Sequence, residues 1–503
     1  MVNMANASLS KNQQTESPKV SNIKTYIHTA IGLAFMLLFP LLPPIHPITE
    51  IGMTIVGIFI GLIYLWTTVS RTWPSLLGLA LIGISGFAGP GYAGMQAVGL
   101  NAFGYHTVMG AALAMVLFGA VGYYGCTKYI ARWFLTRPII NNRPYVFLTM
   151  YFLACYTICA LTSPIASMFL LWGITVELLK NLQVEENEKL YKFMIVGTYI
   201  TALIGQPLIP YKGSQMVMIS AYQKIIGENL NVLGYMVFSI IMAILLFSIF
   251  LLFVKFVYRI DLTKLKNVTV DQFNADPLPP MNQRQKLFMA TIVIFIFVLV
   301  VPEYLPSWIP GVDILKSMGF LGVTMFLVAA TTLIHMKDGK PALQFQEVAA
   351  KSLHWDVIFL IAAAVYVSGI LTSDETGFKL LIKEILQPIL GGHSEFVFVA
   401  IFLAAAILLC NLTNQLAMVL VLLPILNVFA SHWAGGAVPI SMTLIMMVFM
   451  SMMTPGVTAH AGMLHGRKDI NYADIVRYAL PIIIAALILY MIVGYPLAKL
   501  IFA

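Results

Sequence analysis

Residues 409–424 read LCNLTNQLAMVLVLLP, where Asn411, Thr413, Asn414 and Gln415 interrupt two apolar runs. A polar group in hydrocarbon costs about 2–7 kcal/mol unless it finds a partner. Irregular backbone at membrane depth is tolerated only where protein or a water-filled cavity satisfies it. Two apolar segments joined by such a tip read as a re-entrant hairpin, with Thr413, Asn414 and Gln415 capping the turn and facing a solvated cavity. A lone kink would be satisfied by neighbouring helices, so the fold turns on whether this one has counterparts.

It has three. ICALTSPIASMFLL (158–171) aligns with the opening stretch, pairing Cys159 with Cys410, Leu161–Thr162 with Leu412–Thr413 and Ala166 with Ala417. GQPLIPYKG (205–213) then falls over MTPGVTAHAG (453–462), with Pro207 over Pro455 and Gly213 near Gly462. Outward from these, apolar spans are predicted near 26–43, 48–69, 73–88 and 107–125, followed by a basic amphipathic stretch and the pair 145–160 and 165–180. The run 190–223 is too long for one span and is broken at GQPLIPYKG; 230–257 is one long helix. The order recurs near 286–303, 318–336 and 354–371, then an amphipathic stretch at 376–391, the pair 395–411 and 416–431, a broken run 438–466 and a last span near 479–502.

This predicts an all-α polytopic membrane protein of about eleven spans. A polar tail (1–25) precedes a first half (26–257), a linker (258–285) and a second half (286–503). An odd number of spans between the units makes them inverted repeats, each with one hairpin (about 145–182, about 395–431) and one broken helix (190–223, 438–466). Paired interruptions in inverted halves point to a secondary transporter whose site lies at the midplane. Exposed carbonyls there suit a cation and helix N-termini an anion.

Composition agrees. Of 503 residues, 60% are hydrophobic and 10% charged, against roughly 25% charged in soluble domains. Mean hydropathy is +0.88. Residues 1–25 lack the charged head and apolar core of a cleaved signal, which predicts a retained first helix from about Tyr26. The net charge of +8 falls in short loops, at 128–143, 255–286, 337–351 and 467–477. The loop 88–106 has no Lys or Arg, and 302–317 sets Glu303 and Asp313 against Lys316. Basic loops inside give a cytoplasmic N-terminus in the cell's inner (plasma) membrane, and they account for the charge without a nucleic-acid partner.

Cys126, Cys155, Cys159 and Cys410 lie in or beside spans with no CxxC pair, which reads as small apolar packing. There is no HExxH, no GxSxG and no pair of acids within a span, and 258–285 is too short for an output domain. An enzyme or a sensor is therefore excluded. The Gly-rich stretch 86–94 lacks the strand–helix context of a phosphate loop. Lys212 and His460 stand at nearly equivalent points of the two breaks, and ionisable residues at membrane depth are functional candidates. Snorkelling of Lys212 and hydrogen-bonded packing of His460 are the structural alternatives. Glu177 and Asp356 fall near span ends, and His465 lies closer to a basic loop.

Taken in order, the four elements resemble the divalent anion/sodium symporter (DASS) family of the ion-transporter superfamily. That family carries Ser-Asn-Thr at each hairpin tip, with a proline some ten residues beyond the second Asn. Thr413-Asn414-Gln415 holds that place here, Pro424 follows at that spacing, and Thr162-Ser163-Pro164 is the first-half counterpart. The family's Thr-Pro-Pro-Asn-type loops are similar to Gln206-Pro207 and Thr454-Pro455, while LHWDVIFLIAAAVYVSGI (353–370) and NYADIVRYALP (471–481) resemble its span before the outer hairpin and the start of its last helix. The departures are a first tip without Asn and with Pro164 for Thr, and Gln415 for Thr at the second.

The resemblance implies substrate contacts at Thr162, Ser163, Thr413, Asn414, Gln415, Pro207, Thr454 and Pro455. It implies a coupling-ion or charge site at Gly205, Gln206, Lys212, Thr458 and His460, the Lys212 ammonium standing where relatives bind sodium and His460 carrying a proton. The implied protein is an elevator-type homodimer moving small organic anions, di- and tricarboxylates foremost. It would run as cation-coupled symport, with sodium or protons, or as anion exchange, with no other cofactor. An inorganic-ion or sodium/proton antiporter of the same superfamily is the alternative.

Overall fold

A chain in hydrocarbon must satisfy its own backbone, so uninterrupted apolar runs become helices. The computed structural model describes residues 22–274, 278–371, 373–430, 433 and 435–502. The tail assigned to 1–25 lies outside the described residues as far as residue 21, as do residues 275–277 of the linker. Among the described residues the elements are helical, apart from an isolated bridge between His335 and Pro341. Among the described residues, nine helices are long and apolar enough to cross a membrane, or up to eleven when each bent pair counts as one span.

In the first half α1 (Asn22–Leu38) packs on α2 (Glu50–Thr68). Then come α3 (Thr72–Ile84), α4 (Gly91–Phe103), α5 (His106–Tyr123) and the amphipathic α6 (Cys126–Leu135). A hairpin follows, α7 (Pro144–Leu161) and α8 (Pro164–Asn181), then a broken helix, α9 (Lys189–Gly205) and α10 (Gly213–Ile226), bent by 42°. The half closes with α11 (Val232–Phe256), whose 25 residues span about 37 Å.

The second half runs α12 (Gln283–Tyr304), α13 (Val312–Leu333), α14 (Phe345–Ser352) and α15 (Trp355–Leu371), the last two bent by 71°. The amphipathic α16 (Phe378–Leu390) leads to the hairpin α17 (Glu395–Leu412) and α18 (Gln415–Ala430). The second broken run is α19 (Val438–Met447), a 3-10 turn and the short α20 (Ala459–His465). The end is α21 (Tyr472–Leu489), joined through a π-helical turn to α22 (Tyr495–Phe502). The order hairpin, broken helix, long helix therefore occurs twice.

Three details differ from the sequence reading. Residues 91–103, read as part of an outside loop, form α4 against α3. Glycines lower helix propensity and hid it, yet Gly94 is what admits the close contact: a Cβ there would lie 3.1 Å from the carbonyl oxygen of Gly83 in α3 and 2.3 Å from that of Gly89 in the connection between the two helices. Residues 345–352, ahead of the predicted span at 354, are also helical. The last helix starts at Tyr472 rather than near 479, because Asn471 and Asp474 form a reciprocal capping box.

The interruptions have local causes. Pro164 disfavours helix at Ser163 and suits the first turn of α8, while Ser163 Oγ accepts from Ala166 N at 3.2 Å. At the second tip Asn414 Oδ1 accepts from Leu416 N (3.0 Å) and Ala417 N (3.2 Å). Gly213 has φ +52°, a conformation only glycine adopts without cost, and it turns the chain into α10. Thr458 caps α20 by accepting from Ala461 N at 3.0 Å.

Candidate functional site

Both hairpin tips and both breaks border one cavity of about 440 Å³. Thr162, Ser163 and Pro164 line it from the first tip, and Gln206 and Lys212–Gln215 from the first break. Gln415 and Leu416 line it from the second tip, and Thr458–His460 from the second break. The rest of the wall comes from Arg71, between α2 and α3, from one face of α5, and from Lys351, Ser352, His354 and Val357 at the α14–α15 bend.

The lining is electropositive by construction. Helices α8, α10 and α18 begin at the wall, and the start of a helix carries about half a positive charge. Arg71, Lys212 and Lys351 add formal cations, and among the described residues no Asp or Glu lines the cavity. Such a wall favours an anion and disfavours a free cation.

Lys212 is buried. Its Nζ donates to the carbonyls of Cys159 (2.5 Å) and Ala160 (2.7 Å). These belong to the last turn of α7, whose carbonyls have no partner within the helix. The ammonium thus fills a position made of backbone oxygens, the ligand type of a hard cation, and does not snorkel to the surface.

Three amide side chains, Gln206, Gln215 and Gln415, line the same cavity. Gln206 Nε2 donates to Ser214 Oγ at 2.8 Å, and Gln215 Nε2 donates to the Gln206 carbonyl. The Oε1 atoms of Gln206 and Gln215, both amide atoms of Gln415, and His460 Nε2 are buried with no hydrogen-bond partner among the described residues. Buried polar groups are almost always paired, so these atoms are available to whatever occupies the cavity. The His460 ring lies beside that of Tyr199, centroids 5.8 Å apart.

Of the residues named from sequence, Thr162, Ser163, Gln206, Lys212, Gln415, Thr458 and His460 line the cavity, and the others lie outside its lining. Thr413 Oγ1 donates to the Leu409 carbonyl at 2.7 Å, and Asn414 caps α18; neither reaches the lining. Gly205 permits contact of the two elements of the first half, since a Cβ there would lie 2.5 Å from the Tyr156 carbonyl oxygen. The Pro207 carbonyl accepts from Ser239 Oγ at 3.1 Å, tying the break to α11. Thr454 and Pro455 stand outside the lining, Pro455 exposed. Asn411 is a brace: its Oδ1 accepts from Met452 N (2.8 Å) and Met453 N (3.0 Å), and its Nδ2 donates to the Ile407 carbonyl (2.8 Å). His465 Nε2 lies 3.2 Å from the Met452 carbonyl oxygen, away from the cavity.

The sequence reading missed Arg71, Ser214, Gln215 and His354, and took Lys351 only as a loop charge. A signal for Arg71 existed. It stands in a three-residue connection, Val69–Arg71, between two apolar helices, too short to carry it clear of the membrane region.

The description "CitMHS: Citrate transporter" belongs to the family model that matches residues 62–449. In structure the chain is similar to the YdaH transporter of Alcanivorax borkumensis, a protein of unusual topology, with TM-score 0.56 at 13% identity, over 89% of this chain and 98% of that one. At that identity the likeness concerns the fold. No curated protein sequence matches the chain.

Proposed function

The chain belongs to the citrate transporter family, in keeping with the resemblance drawn from its hairpin tips, and we propose that it carries small polycarboxylate anions of the citrate class. It is a multi-pass secondary transporter and not an enzyme. The observation that carries the substrate reading is the cavity wall: three cations, three helix N-termini and several unpaired amide atoms, with no carboxylate among the described residues. A sodium/proton antiporter would require an acid there, so that alternative is disfavoured.

In this reading the first half's cation position is filled permanently by the Lys212 ammonium. A second cation brought to about 4 Å from it would be repelled by roughly 4 kcal/mol at an effective dielectric of 20. A built-in charge favours the anion-loaded carrier and makes empty return costly, which is the behaviour of an exchanger. The second break offers the buried His460 imidazole at the place where the first offers an ammonium.

The hairpins with α9–α11 and α19–α22 form the moving unit, and α1–α5 with α12–α15 the scaffold of an elevator-type homodimer in the inner (plasma) membrane. With the N-terminus inside, Arg71 and Lys351 lie toward the cytoplasm, and the cavity is the inward-open one.

The test is uptake of radiolabelled citrate, succinate and lactate into proteoliposomes under a sodium gradient, a proton gradient, or internal citrate alone. Citrate and succinate should enter by counterflow without sodium. Uptake of none of the three carboxylates, or strict sodium dependence, contradicts the substrate reading or the coupling reading respectively.

A further inference from the structure

The charged residues of the wall are not equivalent. The Lys212 ammonium is already engaged by two carbonyls. Lys351 is exposed, its Nζ over the Tyr123 ring at 5.0 Å from the centroid, and a charge in contact with water contributes little. Arg71 is different. It is half-buried, and its guanidinium makes no hydrogen bond or ion pair with any described residue.

It is also held from behind. Trp66 Nε1 donates to Ser75 Oγ at 2.9 Å, and Ser75 Oγ donates to the Arg71 carbonyl at 2.6 Å, with Trp66 and Ser75 both buried. The backbone that aims the side chain is therefore fixed, while the fork of five N–H donors stays free. His460 and Asp356 lie within its electrostatic reach, yet Asp356 forms no ion pair with it. Arg71 belongs to none of the four interruptions, so the cavity presents donors at two separate places: the tips and breaks, and the α2–α3 connection.

We propose that Arg71 is a specificity-determining residue, whose guanidinium takes a second carboxylate of a substrate whose first is held at the tips and breaks. A planar fork matches a carboxylate in a two-point geometry that an ammonium cannot reproduce. A monocarboxylate satisfies the tips and leaves Arg71 unused; a di- or tricarboxylate engages both. Arg71 thereby sets the preference for polycarboxylates. The inference rests on the carboxylate-carrier reading above and adds a residue and a selection rule to it.

The experiment is calorimetric titration of the purified protein in nanodiscs with citrate and, separately, lactate, for the wild type, Arg71→Gln, Arg71→Lys and Lys337→Gln. Arg71→Gln should weaken citrate binding by about 10- to 100-fold, the scale of a charge-assisted hydrogen-bonded contact, and leave lactate within about 2-fold. Arg71→Lys should fall between, by keeping charge without the fork, and it serves alone if the glutamine variant does not fold. Lys337→Gln, which alters an exposed charge outside the cavity lining, should change citrate binding by less than about 3-fold. Unchanged citrate binding in Arg71→Gln or Arg71→Lys, or equal loss of citrate and lactate, overturns the assignment while the carrier reading stands. A wild type that binds neither acid overturns the carrier reading, and the Arg71 assignment with it.

Discussion

Lys212→Met removes a buried ammonium but keeps an unbranched side chain of similar reach. Nζ gives up its hydrogen bonds to the Cys159 and Ala160 carbonyls, a loss of roughly 3–6 kcal/mol at about 1.5–3 kcal/mol for each bond from a charged donor. Removing the charge also removes its desolvation penalty, several kcal/mol for an ion inside a protein. The two nearly cancel, so the apparent Tm should move by less than about 5 °C. Citrate counterflow should nonetheless fall more than about tenfold, because the carrier loses its fixed positive charge.

Lys212→Ala differs, since it leaves space beside two carbonyls. Sodium, which takes oxygen ligands, can enter, and at a hundred times its Kd it would stabilise the protein by about 2.7 kcal/mol. The assay is the melting temperature in sodium chloride against choline chloride, with counterflow in parallel. Wild type should be indifferent to the cation, and Lys212→Ala should gain stability and some transport with sodium. A wild type whose Tm and uptake climb steeply with sodium, while Lys212→Met carries citrate normally, refutes the reasoning.

The Gln415 amide has no hydrogen bond to lose, so Gln415→Ala should cut citrate uptake at least about tenfold with an unchanged Tm; wild-type uptake would remove it from the site. Thr413→Ala should transport almost normally, because its hydroxyl bonds only to its own helix, whereas Asn414→Ala should lose about 0.5–2 kcal/mol of stability as a missing N-cap and be restored by Asn414→Ser. Asn411→Ala strands the N–H groups of Met452 and Met453 at roughly 1–3 kcal/mol each, and little folded protein should be recovered from detergent extracts. Single cysteines in 258–285 and in 88–106 should react with an impermeant maleimide from opposite sides of the membrane, those in 258–285 from the cytoplasm; labelling from one side would break the inverted repeat.

The fold was legible because its punctuation is covalent. Pro164, Pro207 and Pro455 and the glycines of both breaks interrupt helices wherever they stand, and the lengths between them leave few arrangements. Which residue of a tip turns inward was less legible. Thr413, Asn414 and Gln415 are consecutive, but a helical start rotates each by about 100° from the last, and only Gln415 reaches the cavity. The cap geometry that decides this depends on Asn414 bonding to Leu416 and Ala417. Arg71 and His354 come to the wall through the packing of α3 and α5 against α15, contacts between distant segments that no local pattern records. Lys212 was visible as a charge in a break, but its two carbonyl partners lie more than fifty residues earlier.

The central claim is that the cavity between the tips and breaks is where the anion binds. Ala459 lines that cavity and is exposed to it, while all four native cysteines are buried, so Ala459→Cys provides one reactive thiol on a quiet background. The decisive measurement is the rate at which a water-soluble maleimide labels this cysteine with and without citrate. Slowing by citrate, with little effect of chloride at the same ionic strength, is the result the account predicts. Rapid labelling that citrate leaves unchanged, in protein that still transports citrate, would contradict it.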